Sequence, residues 1–162
     1  MSRLAPLLLL VLWACAPAKQ VVGFKEWRAT QLGSYAALLD REGQLLQETR
    51  NDFKERRLGW HGLASFPLSL IEELVLLEDQ NFWRHDGVDY QAFGASAWDF
   101  FKTKKLRGAS TLTMQVVNLT TPTLRKAKFY KLNQMREAHS FEKVWKKNEI
   151  LETYLNLVAF RG

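Results

Sequence analysis

Residues 69–89 read SLIEELVLLEDQNFWRHDGVD, and this stretch decides the predicted fold. Ser69 and Glu72 fit a capping box at the start of a helix. Apolar residues then recur at helical spacing up to a carboxylate pair, Glu78 and Asp79. The stretch therefore predicts an amphipathic helix that ends in two acids next to a turn. The apolar positions of the helix are Leu70, Ile71, Leu74, Val75 and Leu77.

Four more helices are predicted downstream, so we expect an all-helical chain after residue 68. They cover residues 88–101, a stretch from Ser110 or Thr111 onwards, about 124–144, and about 148–158. An aromatic stripe on the first of these helices, which includes Tyr90 and Phe93, predicts a side that faces the core. Upstream, residues 19–65 form a poorly defined lead-in, with one hairpin predicted around Arg41-Glu42-Gly43.

The composition fits one small globular domain. The chain has 162 residues, of which 47% are hydrophobic and 25% are charged, so it can hold one modest core and is neither a disordered tail nor a polytopic membrane protein. Its formal net charge of +6 favours an anionic partner such as a phosphate group or an anionic bilayer. The single cysteine, Cys15, excludes an intramolecular disulfide and a cysteine-built metal cluster.

The N-terminus has the pattern of an export signal. Arg3 precedes the apolar run 4–13, and small residues follow, so residues 1–18 are predicted to be a signal peptide. The apolar run is short for a transmembrane helix. Cys15 is a lipidation candidate because LWAC at 12–15 resembles a bacterial lipoprotein box, and cleavage after Ala18 is the alternative. Both routes lead out of the cytoplasm.

Glu78 is the first candidate for chemistry. It continues the apolar face of its helix, where partial desolvation would make its carboxylate a better general base. A solvated or cap-pairing acid is the alternative. Asp79 lies about 100° away around the helix axis, so the two acids cannot face one site equally. His85 is a weaker candidate, since a histidine that only holds the following turn fits the pattern as well.

A second polar cluster lies at residues 102–115, which read KTKKLRGASTLTMQ. Gly108 and Ala109 lead into Ser110 and Thr111 at a predicted helix start, and four cationic residues lie just upstream. Free backbone N–H groups and hydroxyls at a helix start bind anionic oxygens. The cluster therefore predicts a phosphate-recognition surface, with a solvated basic loop as the alternative.

Three motifs in this order resemble the peptidoglycan glycosyltransferases, which comprise the monofunctional transglycosylases and the N-terminal domains of class A penicillin-binding proteins. The first motif is Glu78-Asp79 with Phe82, His85, Gly87 and Asp89; the second is GASTLTMQ at 108–115; the third is EILETYLN at 149–156. TMQ at 113–115 and KLNQMR at 131–136 resemble the C-type branch of the class A proteins. The resemblance covers about residues 66–162.

The resemblance implies a mainly α, lysozyme-like domain that polymerises lipid II into glycan strands at the outer face of the cytoplasmic membrane. In that reaction a sugar 4-hydroxyl attacks the anomeric carbon, inverts it and releases the lipid pyrophosphate. Glu78 matches the family's catalytic base. The positions that the resemblance implies for substrate binding are Asp79, Phe82, His85, Ser110, Thr111, Gln115, Lys131, Gln134 and Asn156.

The sequence departs from the family pattern at three points. Gln134 stands where many members have a glutamate, and an amide can hydrogen-bond a pyrophosphate but does not bring a metal ion as a carboxylate does. We therefore expect no required cofactor, with a divalent cation, Mg²⁺ or Mn²⁺, as the alternative. Asn118 replaces a usual Lys or Arg, for which Arg125 or Lys128 would substitute. The chain also stops at Gly162, where members continue, which predicts a C-terminally incomplete domain.

Two other functions stay open. One is a non-catalytic lipid II or glycan-binding relic of the family, and the other is a basic membrane-surface lipoprotein without glycan specificity. The expected partners are lipid II, nascent glycan strands, the membrane surface and other proteins of cell wall synthesis, and not nucleic acid. The expected location is the periplasmic side of the bacterial membrane, with membrane association or a lipid anchor.

Overall fold

The computed structural model describes residues 20–53, 57–103, 108, 110–126 and 129–159. The predicted signal peptide 1–18, the lipidation candidate Cys15 and the substitute cation Lys128 lie outside the described residues. The described part holds six α-helices and one two-stranded sheet. None of these helices combines the length and the apolar character that crossing a bilayer requires.

A short helix and a hairpin come first. Helix α1 spans Phe24–Ala29, and the antiparallel strands β1 and β2 span Tyr35–Leu39 and Leu45–Arg50. At the turn between the strands, the carboxylate of Asp40 accepts the backbone N–H groups of Glu42 and Gln44. Gly43 takes a φ of +80° there, a conformation that costs glycine little. The predicted hairpin is confirmed.

The rest of the described chain is helical, as predicted, and the mainly α fold class is confirmed. Two 3-10 turns, at Leu63–Ser65 and Pro122–Lys126, accompany five helices. These helices are α2 at Leu68–Glu78, α3 at Tyr90–Thr103, α4 at Leu112–Thr120, α5 at Tyr130–Glu142 and α6 at Lys147–Leu157.

The start of α2 and the exposed face of α3 differ from the prediction. The N-cap of α2 is Pro67, without a side-chain hydrogen bond, so the predicted capping box of Ser69 and Glu72 is wrong. Tyr90 and Phe93 of α3 are 68% and 39% exposed, so at these two positions the aromatic stripe does not face the core.

The predicted helix over 124–144 is interrupted near its start. Residues Pro122–Lys126 form a 3-10 turn, and α5 begins only at Tyr130. Phe129, the residue before it, adopts a left-handed backbone with a φ of 56°, which an α-helix cannot contain. The interruption turns α5 back against α4.

Helix α4 is the centre of the core. Its apolar side chains Leu112, Met114, Val116 and Val117 are fully buried, and it packs against α5 and α6. Its N-cap is Thr111, whose hydroxyl accepts the backbone N–H of Met114 at 3.2 Å, as N-cap threonines do. This cap places the second sequence motif at the end of α4 that lies next to Glu78 and Asp79.

The segment before α2 is attached to the last helix. The carboxylate of Glu152 accepts the indole N–H of Trp60 at 2.7 Å and the backbone N–H of Leu63 at 2.9 Å. One turn later, the amide of Asn156 donates to the carbonyl of His61 at 2.8 Å and accepts its N–H at 2.9 Å. Helix α6 therefore holds the entry to α2 by four hydrogen bonds.

Candidate active site

A cleft of about 490 Å³ opens between the end of α2, the start of α3 and the residues before α4. Its volume lies within the range of small-molecule sites, which is about 300–1,000 Å³. It brings together the carboxylate pair of the first motif and the hydroxyls of the second. The lining residues are Leu77, Glu78, Asp79, Gln80, Asn81, Asp89, Ala92, Ala95, Ser96, Gly108, Ser110 and Thr111.

Glu78 lies at the C-terminal end of α2 with an exposed side chain. The burial that its apolar spacing predicted is absent: in α2 only Val75 is buried, and Ile71 and Leu74 are partly buried against the core. The side-chain N–H of Gln115 on α4 donates to Oε2 of Glu78 at 2.8 Å. Glu78 is therefore held by one hydrogen bond at the edge of the cleft rather than by a desolvated pocket.

The carboxylate of Asp79 is used in hydrogen bonds that hold the site together. Asp79 is 7% exposed, its carboxylate oxygens both lie 3.0 Å from Nε2 of His85, and one of them accepts the backbone N–H of Leu112 at 2.9 Å. The backbone N–H of Gly87 donates to Nδ1 of His85 at 3.1 Å, so the ring proton resides on Nε2 and points at Asp79. Thus His85 holds the turn, which was the alternative that its pattern left open.

The turn after α2 is pinned to α4 and α5. Thr111 donates its hydroxyl to the carbonyl of Gly87 at 2.6 Å. Gly87 has a φ of +91°, and a Cβ there would lie 2.5 Å from the carbonyl oxygen of Ala138 on α5. Only glycine meets both the left-handed backbone and the close approach.

Asp89 starts α3 and links it to the loop. Its carboxylate accepts the backbone N–H of Ala92 at 2.8 Å and the side-chain N–H of Asn81 at 2.7 Å. The hydrogen bond from Ala92 lowers the pKa of Asp89 below its ordinary value, burial raises it in part, and the bond from Asn81 lowers it further. The carboxylate form of Asp89 is therefore the one that the fold favours.

Lys131 and Ser110 form the cationic side of the site. The ammonium of Lys131 on α5 donates to the hydroxyl of Ser110 at 2.7 Å, and Ser110 lines the cleft. Burial lowers the pKa of Lys131 from its ordinary value, because the ammonium loses hydration. An anionic group bound next to Ser110 would replace that lost hydration.

Gln134 lies inside the protein rather than on the cleft wall. It is 1% exposed, its side-chain N–H donates to the carbonyl of Met114 at 2.7 Å, and its Oε1 is buried without a hydrogen-bond partner among the described residues. It joins α5 to α4 behind the site. Asn118, the other departure from the family pattern, also has a buried Oδ1 without a partner in the described part of the chain.

Two further positions from the sequence prediction are part of the framework. Phe82 is fully buried, and the ammonium of Lys147 lies 4.4 Å from the centre of its ring. Asn156 uses both ends of its amide on the backbone of His61. Gln115, in contrast, reaches the site directly through its bond to Glu78.

A buried charge cluster beneath the turn was missed by the sequence analysis. The ammonium of Lys147 donates to Glu142 at 2.8 Å and to the carbonyl of His85 at 2.6 Å. Thr113 also donates its hydroxyl to Glu142. The only signal in the sequence was a Glu and a Lys five residues apart at a helix junction, which is a common surface pattern.

No group of three or more His, Cys, Asp or Glu side chains comes together as metal ligands within residues 20–53, 57–103, 108, 110–126 and 129–159. The expectations about Mg²⁺ or Mn²⁺ stay predictions. In the described part of the chain, the charged groups next to the cleft are used in hydrogen bonds to the protein.

Comparison with known proteins identifies the family. A family model described as Transglycosylase matches residues 42–162. The chain belongs to the transglycosylase family. The match begins inside the predicted lead-in 19–65 and takes in β2 and the segment held by α6.

Three relatives of this chain are penicillin-binding proteins. Penicillin-binding protein 1A of Rickettsia typhi is 30% identical over 131 residues, which cover 78% of this chain and 16% of that protein. Penicillin-binding protein 4 of Bacillus subtilis is 31% identical over 126 residues, with 77% and 20% covered. Penicillin-binding protein 1C of Escherichia coli is 39% identical over 109 residues, with 62% and 14% covered. The chain thus spans at most a fifth of the length of these relatives.

Proposed function

We propose that this chain polymerises lipid II into glycan strands, with Glu78 as the general base. The observation that carries the proposal is the position of Glu78 on the cleft wall, with Oε2 bound by Gln115. In the described part of the chain, no protein group donates to Oε1 of Glu78. A carboxylate held by one oxygen and open at the other can take a proton from a hydroxyl that enters the cleft.

The proposed reaction is an inverting displacement. The 4-hydroxyl of the acceptor sugar gives its proton to Glu78 while its oxygen bonds to the anomeric carbon of the donor. The bond from that carbon to the pyrophosphate oxygen breaks, and its electron pair leaves with the lipid pyrophosphate. Attack from the face opposite the leaving group inverts the anomeric centre, as in other inverting reactions at sugars.

Ser110 and Lys131 are proposed to bind the pyrophosphate, and Thr111, whose hydroxyl donates to Gly87 and accepts from Met114, is proposed to hold the start of α4 beside them. Negative charge grows on the leaving group during the displacement, and a fixed ammonium and a hydroxyl stabilise that charge more than they stabilise the ground state. Lys131 already lies 2.7 Å from Ser110, so the two need little reorganisation. The formal net charge of +6 supports attraction of an anionic lipid.

The other positions are proposed to act through the framework. Asp79, His85 and Phe82 fix the loop that follows Glu78, and Gln134 and Asn156 fix helices α5 and α6. We place the protein on the periplasmic side of the membrane, associated with the membrane or lipid-anchored at Cys15. Its proposed partners are lipid II, nascent glycan strands and other cell wall synthesis proteins.

The test is glycan-chain formation from lipid II by the full chain and by Glu78→Gln. Loss of a positioned general base costs about 10²–10⁴-fold in rate, so we expect polymer from the wild type and almost none from the variant. Glu73→Gln is the matched control, because Glu73 is an exposed glutamate on the same helix. Full-rate polymerisation by Glu78→Gln would remove Glu78 from the proposed role.

A second candidate function is lipid II binding without turnover. The burial of Gln134, at a position where many family members have a glutamate, favours this candidate, because the amide faces the carbonyl of Met114 and not the cleft. Binding of lipid II by the wild type, with no polymer formed, would support it against the first candidate.

A further inference from the structure

One carboxamide connects a buried tyrosine to the exposed carboxylate of Glu78. Tyr154 on α6 is 5% exposed, and its hydroxyl donates to Oε1 of Gln115 at 3.3 Å. The other end of the same amide donates from Nε2 to Oε2 of Glu78 at 2.8 Å. The three residues come from three helices, α6, α4 and α2, and they form a line from the core to the edge of the cleft.

Glu78 and Tyr154, at the two ends of this line of hydrogen bonds, differ in side-chain mobility. An exposed glutamate at a helix end samples several rotamers, whereas a tyrosine packed in the core has one. The amide of Gln115 can restrict the rotamers of Glu78 only if a donor also fixes the amide oxygen. An amide that is hydrogen-bonded at one end alone can still rotate. The buried hydroxyl supplies this donor.

Tyr154 keeps its proton in this position. Burial raises the pKa of its hydroxyl, and the negative charge of Glu78 raises it further, because both disfavour a phenolate. The hydroxyl is therefore a donor over the neutral and mildly alkaline range, and the amide oxygen of Gln115 stays turned towards it.

The other charged groups near Glu78 are engaged elsewhere. Asp79 holds His85 and Leu112, Asp89 holds Asn81 and Ala92, and Lys131 holds Ser110. Within the residues that the structure describes, Gln115 is the one side chain that donates to Glu78.

We infer that Tyr154 is a positioning residue that, through the amide of Gln115, holds Glu78 with Oε2 occupied and Oε1 presented to the acceptor hydroxyl. This inference rests on the proposed role of Glu78 as the base. It assigns to the Tyr of the third motif a task that neither its helical spacing nor its burial reveals.

The kinetic test uses Tyr154→Phe, which removes the hydroxyl and keeps the buried ring. We expect the kcat of lipid II polymerisation to fall about tenfold with KM within about twofold, because the interaction acts on the base and not on substrate binding. Tyr35→Phe is the matched control, since it removes the same hydroxyl from a residue of β1. A kcat equal to that of the wild type, or a rise in KM as large as the fall in kcat, would overturn the inference.

A double-mutant cycle separates positioning from general stability. In a Gln115→Ala background the line is already broken, so adding Tyr154→Phe should change kcat no further. If the two substitutions multiply in their effects, Tyr154 acts by another route and the inference is wrong. Thermal melting of each variant shows that it is folded.

A second readout does not need an active enzyme. In nuclear magnetic resonance spectra of the full chain, we expect Glu78→Gln to shift the side-chain amide signals of Gln115, because one of these N–H groups donates to Glu78. Tyr154→Phe should shift the same signals, because its hydroxyl donates to the oxygen of that amide, and Tyr35→Phe should leave them unchanged. Signals of Gln115 that stay unchanged in Tyr154→Phe would overturn the inference even in an active protein. Absence of polymer from the wild type would count only against the proposed function.

Discussion

His85 donates its Nε2 proton into the carboxylate of Asp79, 3.0 Å from each oxygen, and both side chains are buried. The same carboxylate accepts the backbone N–H of Leu112. Two elements that are distant in sequence, the turn after α2 and the start of α4, are thereby joined at one buried group. The cleft has its shape because this junction is fixed.

Removal of Asp79 should weaken the whole domain. A buried donor left without its acceptor costs about 1–3 kcal/mol. Asp79→Ala leaves two such donors, the Nε2–H of His85 and the backbone N–H of Leu112, so we expect it to lower the free energy of unfolding by about 2–6 kcal/mol. Urea unfolding followed by tryptophan fluorescence measures it. Asp86→Ala, a neighbouring exposed carboxylate, is the control and should change stability little. Equal effects of the two would show that the junction is not a stabilising contact.

Gly87 should not tolerate a side chain. A Cβ would lie 2.5 Å from the carbonyl oxygen of Ala138, at a φ of +91°, and strain of this kind costs about 1–3 kcal/mol from each source. We expect Gly87→Ala to lower the melting temperature by several degrees. Gly62→Ala serves for comparison, because nothing lies within 4 Å of a Cβ there. A melting temperature equal to that of Gly62→Ala would contradict the close approach.

A glutamate at position 134 should make stability fall as pH rises. The residue is 1% exposed and faces the carbonyl of Met114, so a protonated carboxyl can donate there but a carboxylate is repelled. Burial thus raises the carboxyl pKa of Gln134→Glu above its unfolded value of about 4.3. Above that pH the folded state binds more protons than the unfolded state, and the free energy of unfolding declines with pH.

The measurement for this variant is urea unfolding of Gln134→Glu and Gln134→Met at about pH 4 and about pH 8. From about pH 4 to about pH 8, Gln134→Glu should lose at least about 1 kcal/mol of unfolding free energy relative to Gln134→Met. A carboxyl pKa that burial raises from, for example, about 4.3 to about 5.3 corresponds to about 1.4 kcal/mol. A difference that stays constant would mean that residue 134 is open to water.

Asp89 should stabilise the fold in its charged form only. Because the backbone N–H of Ala92 holds the pKa of Asp89 below 3.8, its contribution is complete above that value and is lost as pH falls through the lower folded pKa. Asp89→Ala removes the acceptor at the start of α3 and should cost about 1–2 kcal/mol near pH 7. Chemical unfolding at about pH 7 and about pH 2.5 should show the loss shrinking at the lower pH. A loss that grows on acidification would reverse the assigned direction.

Local structure was predicted well from the sequence, because turn residues and the spacing of apolar residues largely determine it. The hairpin around Gly43 and the helix α6 follow from turn residues and apolar spacing, and both are present. The start of α5 was placed too early, since the left-handed backbone of Phe129 has no sequence signal. The cleft itself follows from the family motifs, which place Glu78 beside Ser110 and Thr111.

The tasks of single polar residues could not be read from the sequence. Asn156 lies in a family motif, but its partner is the backbone of His61, 95 residues away in the chain. Gln134 and Phe82 are buried because of contacts with α4 and with Lys147, and such pairings between helices leave no pattern in either helix. Burial of this kind depends on tertiary packing, which periodicity does not specify.

The four hydrogen bonds between α6 and residues 60–63 also have a consequence for folding. They join residues 89 to 95 positions apart, so most of the domain must be closed into a loop before they form, and contacts of such long range slow folding. On the ribosome, Trp60 and His61 emerge long before Glu152 and Asn156. These hydrogen bonds to the entry of α2 therefore cannot form until synthesis has passed α6.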